Sequence, residues 1–210
     1  MTELLPMVFT SGWASGVNAY ATVLVLGLIG RIGGVESIPD GLQRTDVLVA
    51  AAVLYALEFV ADKIPYVDST WDAVHIAIRP TVGAVIALLV SGDADSLETA
   101  VLTATGGLTA LASHLVKGGL RLAVNTSPEP ASNIAVSVAE DGAVAGLVSL
   151  VVVAPWLAAT IAAVLLVVGG GLVVLLASRI RRALRRRRER RAARATRAAP
   201  PCPGVSRAPG

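Results

Sequence analysis

The stretch LEFVADKIPYVDSTWDAVHIAIRP, residues 57–80, sets Glu58, Asp62, Lys63, Asp68, Asp72, His75 and Arg79 inside a chain that is 54% hydrophobic with mean hydropathy +0.69. Carboxylates beside an imidazole and a guanidinium can bind a cation, pass protons or hold an anion. A helix turns about 100° per residue, so spacings of three and four keep side chains on one face. Glu58 and Asp62 are four apart, and Asp72, His75 and Arg79 form one stripe. Three further stripes follow the same rule. His114, Lys117, Arg121 and Asn125 run at intervals of 3, 4 and 4; Asn133, Ser137 and Glu140 share a face with Asp141 beside them; Ser11, Ser15, Asn18 and Thr22 run at 4, 3 and 4.

These residue types suggest roles. Glu58, Asp62, His75, Glu140 and Asp141 are candidates for binding protons or cations, because carboxylates in a low-dielectric interior can exchange protons near neutrality. Arg79, Lys117 and Arg121 would balance their charge or hold an anionic solute, and Asp72, His114, Asn125 and Asn18 complete the candidate set. Structural roles compete at each position. Ser69 and Asp72 have capping-box spacing, Lys63 can snorkel, Lys117 and Arg121 can anchor a helix end at anionic headgroups, and Gly12 and Gly16 suit helix packing. The depth of Glu58, Glu140 and Asp141 within apolar runs favours function, since buried membrane acids usually pair, bind ions or carry protons. The leading expectation is a permease or channel-like protein for a small solute or ion, with proton coupling an option; a scaffold subunit whose polar network only fixes packing is one rival, and an intramembrane lipid enzyme using acids and His75 or His114 around a metal is another. No H-E-x-x-H, nucleophile-elbow or cysteine motif is present, and no cofactor is expected.

The elements that must position these residues are membrane helices. Only 16% of residues are charged, and apolar runs at 12–30, 47–61, 73–90, 97–116, 134–153 and 156–178 approach the roughly 20 residues that span a bilayer. This reads as an all-α integral membrane protein of about six transmembrane helices. Three helices on each side of the SGDADS turn suggest two inverted three-helix halves, as in many transporters. Pro80 predicts a kink in the third span, and TSPEP at 126–130 a break ahead of the fifth. The chain opens MTELLPMVF without a basic stretch, so the first helix is expected to be retained.

The domains divide at the end of the last apolar run, into a transmembrane unit at 1–178 and an Arg-rich, largely disordered cytoplasmic tail at 179–210. Eleven arginines lie between Arg179 and Arg197, which places the tail inside by the positive-inside bias. Parity then puts the Lys63 and Lys117–Arg121 connections inside, the Asp93–Ser96 turn outside and the N-terminus inside. The tail's expected partner is anionic lipid headgroups rather than nucleic acid, for want of aromatic interleaving or a folded motif. The lone Cys202 excludes an internal disulfide, and a homo-oligomer is compatible with the class.

The segments SGVNAYATVLVLGLIGR, EFVADKIPYVDSTWDAVHIAIRP and HLVKGGLRLAVNTSPEPASNIAVSVAED cover most of residues 11–141. Their polar strings, in order and spacing, resemble bacterial polytopic membrane proteins of the domain of unknown function 4126 family. The resemblance implies a multi-pass protein of the bacterial inner (plasma) membrane and brings no established activity, ligand or catalytic residue. The Arg tail lies outside it.

Overall fold

A computed structural model describes the backbone of residues 4–64, 67–124 and 130–198, with side chains described except at 68–69, 123–133, 187 and 190–198. Asn125, most of the TSPEP stretch, Cys202 and residues 199–210 therefore lie outside the described residues. Every regular element described is an α-helix: α1 Leu5–Val17, α2 Ala19–Gly33, α3 Asp40–Gln43, α4 Thr45–Ala61, α5 Val67–Ser91, α6 Ser96–Val124, α7 Pro130–Val153 and α8 Pro155–Ala198. Among the described residues, four helices are long and apolar enough to cross a membrane, and they fall within α5, α6, α7 and α8.

The run at 12–30, expected as one span, is two helices of 13 and 15 residues separated by Asn18 in an extended conformation (φ −150°, ψ 101°). Contacts along their lengths show that the chain reverses there. The α1 helix runs parallel to α6, since Gly12 abuts Gly106 and Val17 is held by Lys117. Next, α2 starts with Tyr20 on His75 of α5, yet seven residues on Gly27 abuts Leu42, whose neighbour Gly41 touches Leu89 near the other end of α5. Only a path back towards the Gly92 turn satisfies both. The two helices thus form a hairpin with Asn18 at its tip, each arm about 20 Å long at 1.5 Å per residue, short of the ~30 Å of a bilayer core.

Small residues let this hairpin sit deep in the bundle. A Cβ on Gly106 would lie 2.6 Å from the Gly83 carbonyl, and one on Gly12 would lie 2.6 Å from the Gly106 carbonyl. At Gly16 it would overlap both the Ser113 hydroxyl and the Ala110 carbonyl. The packing role expected of Gly12 and Gly16 is therefore the one they have, with α1, α5 and α6 in backbone contact. Apolar side chains, among them Leu26, Leu102, Val144 and Val148, fill the remaining core.

Turn chemistry closes the connections. Gly34 and Gly92 take left-handed φ values of 62° and 52°, which end α2 and α5. Asp95 Oδ1 accepts the Glu98 amide at 2.8 Å and starts α6 with a D-x-x-E capping pattern. The α5 helix begins at Val67, two residues before Ser69, and runs through Pro80.

Residues 1–173 and 174–210 separate as two compact units. In the first, α8 reaches Val173 beside Gly119 of α6. In the second, the Arg-rich segment is helical as far as Ala198. Alanine, arginine, leucine and glutamate are strong helix formers, and Arg185 pairs with Glu189 one turn on at 2.9 Å.

Candidate functional site

The stripes converge near the hairpin tip. The C-terminal end of α4, the first half of α5, the second half of α6 and the first half of α7 lie at the same end of the bundle and bring their polar faces together. Arg79 is fully buried: its Nη2 lies 2.6 Å from Glu58 Oε1 and 3.1 Å from Asp72 Oδ1. Its Nη1 donates to His114 Nδ1 at 2.7 Å and reaches the Gly16 carbonyl at 3.4 Å. Arginine can only donate, so His114 accepts at Nδ1 and carries its proton on Nε2, a neutral imidazole assigned from its partner.

One and two turns further along α6, Lys117 and Arg121 extend the network. Lys117 Nζ lies 3.1 Å from Asp62 Oδ2, 3.5 Å from Glu140 Oε2 and 4.0 Å from Glu58 Oε1. Arg121 Nη2 binds Asp62 at 2.9 Å and Glu140 at 2.7 Å. Eight of the candidates, Glu58, Asp62, Asp72, Arg79, His114, Lys117, Arg121 and Glu140, therefore form one ion network. Glu58 and Arg79 have no exposed surface, whereas the Glu140 side chain keeps 17% of its own.

The hairpin tip is built into that network. Breaking a helix strips its last carbonyls of intrahelical partners, and buried carbonyls must find others. Lys117 Nζ donates to the Val17 carbonyl at 2.8 Å and Arg79 to that of Gly16, placing two cations at the negative end of α1. Ser113 Oγ bonds the Trp13 carbonyl at 2.8 Å. Asn18 serves both arms: its Oδ1 accepts the Ala21 amide at 2.9 Å and caps α2, and its Nδ2 donates to Asp141 Oδ1 at 3.0 Å. His75 stands to one side, with Nδ1 on the Trp71 carbonyl at 2.8 Å and Nε2 on the Tyr20 hydroxyl at 3.0 Å.

Lys63 faces the Phe59 ring and carbonyl and reaches Ser137 Oγ at 3.5 Å. Ser113 and Tyr20 also touch the site and, like Lys63, lie outside the candidate set. Ser113 was legible, because it continues the 117, 121 series backwards by four. Tyr20 was not: on an unbroken helix it points about 200° away from Asn18, and only the reversal turns it to His75.

Two cavities flank α6. One, of about 290 Å³, is mostly apolar and lies between α1, α6, α7 and α8, with Val17, Lys117 and Glu140 in its wall. The other, of about 340 Å³, lies between α5 and α6 and is lined by Asp72, His114 and Arg121 beneath Ile76 and Leu122. No group of three or more histidine, cysteine, aspartate or glutamate side chains among the described residues is placed to hold a metal ion.

Four helices long and apolar enough to cross a membrane, with many large apolar side chains on their outer surface, mark a membrane protein. The profile of the family described as Domain of unknown function (DUF4126) matches residues 5–175, and the chain belongs to that family. No curated protein and no solved structure matches it.

Proposed function

We propose that the protein is a permease or channel-like carrier of a small solute or ion, coupled to protons. The observation that carries this reading is the hairpin tip at Asn18, with its freed carbonyls held by Lys117 and Arg79 inside a buried ion network. Interrupted helices whose backbone ends face the middle of the bundle are the usual construction of membrane solute and ion sites. The cavity beside Val17, Lys117 and Glu140 fits a small solute with an apolar body and one charged end.

In this reading α4 to α8 cross the membrane and the α1–α2 hairpin enters it and returns. That is five crossings instead of six, with no pair of matching three-helix halves, because the continuous α6 has no counterpart to the break at Asn18. The Arg-rich segment lies on the cytoplasmic side of a bacterial plasma membrane, against anionic headgroups, and the N-terminus on the opposite side. Proteoliposomes with an internal pH dye, together with a thermal-shift screen of ions and small metabolites, test the function. A ligand that raises the melting temperature and drives proton-linked flux is the expected result; the absence of both would favour a scaffold.

The scaffold reading has one observation of its own: each buried cation already touches a carboxylate. Glu58→Gln and Glu140→Gln separate the two. In a carrier they abolish the ligand or proton response while the protein stays folded, whereas in a scaffold they cost only stability.

A further inference from the structure

Of the five carboxylates at the site, Glu58, Asp62, Asp72 and Glu140 each lie within ion-pair distance of Arg79, Lys117 or Arg121. Asp141 has no such pair among the described residues. Its Oδ1 accepts one hydrogen bond, from Asn18 Nδ2 at 3.0 Å, and its Oδ2 is buried with no hydrogen-bond partner. Glu58 Oε2 and Asp72 Oδ1 also lack one, but those acids have Arg79 to hold their charge, and Asp141 has no such cation among the described residues. A carboxylate oxygen left bare in a membrane interior is costly, and the simplest occupant that satisfies it is a proton or a small cation.

The charge balance points the same way. Among the described residues, five ionised carboxylates against three cations leave two surplus negative charges, of which Lys63, at the edge of the cluster, offsets one.

The hairpin tip decides between proton and metal cation. A bare cation needs several oxygen ligands, and the carbonyls that an interrupted helix would supply are those of Gly16 and Val17. Arg79 and Lys117 already occupy them. An ammonium on the Val17 carbonyl repels a second cation there, whereas a proton needs only one oxygen.

We propose that Asp141 is the proton-binding group of this network and that Asn18 transmits its charge state to the hairpin tip. The inference rests on the carrier reading for its purpose, though not for its test. A proton from water adds to Oδ2 and returns to water when it leaves. With Asp141 ionised, Asn18 Nδ2 makes a charge-assisted bond that also fixes its Oδ1 over the Ala21 amide. Neutralising the acid removes the charge assistance, roughly halving that bond, and creates an O–H that must find an acceptor. Asn18 is then free to turn, and with it the join between α1 and α2.

Several groups face Asp141: Lys63, Asp62 and Tyr55 from α4 and its end, Lys117 from α6, and Asn18 at the start of α2, with Glu140 adjacent on its own helix. The α1 helix and α8 as far as Val173 carry no titratable side chain.

The test is infrared difference spectroscopy on the full chain in lipid nanodiscs, with a pH step across neutrality and no solute or gradient. A neutral-carboxyl C=O band should appear on acidification, vanish in Asp141→Asn, shift in frequency in Asp141→Glu and titrate with a displaced midpoint in Asn18→Ala. A band that survives undiminished in Asp141→Asn, or a midpoint that Asn18→Ala leaves unmoved, overturns the proposal. So does stabilisation of the wild type by sodium at fixed pH that Asp141→Asn abolishes. If Asp141→Asn does not fold, the frequency shift in Asp141→Glu decides. Proton flux without an Asp141 band would sink this inference and leave the carrier reading standing; the band without flux in proteoliposomes supports the proton site and sinks the carrier.

Discussion

At the residue scale, the site behaves as linked partners, so removing one exposes another. Glu58→Gln leaves Arg79 with Asp72 as its one remaining carboxylate, and breaking a buried pair costs about 3 to 5 kcal/mol. The expected outcome under a purely structural network is a fall of that size in unfolding free energy in detergent; a change below about 1 kcal/mol would mean that the network tolerates a neutral acid at this position. Asn18→Ala removes the α2 cap and should cost about 0.5 to 2 kcal/mol by the same measurement. The membership of this site was largely legible in the sequence, because helical periodicity alone sorts Glu58, Asp62, Asp72, Arg79, Lys117, Arg121 and Glu140 onto inward stripes. The pairing was not. Which acid meets which cation depends on the relative height of four helices, and nothing local to Asp62 says that Lys117 and Arg121 both reach it.

Among the elements, the hairpin depends on glycines that permit backbone contact. Gly106→Ala should destabilise the protein by about 1 to 3 kcal/mol, since its new methyl would meet the Gly83 carbonyl and the Ala87 side chain, with little room to yield. Gly146→Ala faces open space within α7 and should be neutral or stabilising by up to about 1 kcal/mol. Equal melting temperatures for the two variants would contradict the packing described. The helices α5 to α8 could be read from hydropathy because each is a long apolar run. The reversal at Asn18 could not, because SGVNAYATV stays apolar on both sides and a hydropathy window is blind to direction. The one local sign is an asparagine, a good helix cap, two residues after Gly16.

For the whole molecule, a hairpin that enters the membrane and returns, as the carrier reading has it, changes the parity of the chain. Single cysteines at positions 5, 36 and 94 in a Cys202→Ser background should be labelled from one side of the membrane, and a cysteine at position 64 from the other. Labelling of positions 5 and 94 from opposite sides would restore an even count of crossings. Truncation after Arg182 keeps the first three arginines of the basic run and should leave insertion and melting temperature of the 1–173 unit unchanged. Loss of insertion would make the Arg-rich helix part of the folding unit. The buried charged residues of this unit, Glu58, Asp62, Asp72, Arg79, Lys117 and Arg121, all lie at the hairpin-tip end, while residues 82–91, 99–113, 142–153 and 155–173 contain no charged residue. In electrical terms the bundle is a lopsided insulator. Once water reaches the network from its own end, nearly all of the transmembrane voltage falls across the dry half. A proton that binds Asp141 from the near side then crosses little of the field, and one that leaves by the far side crosses almost all of it, worth about 2.3 kcal/mol per 100 mV. Binding would be insensitive to membrane potential and release steeply sensitive to it.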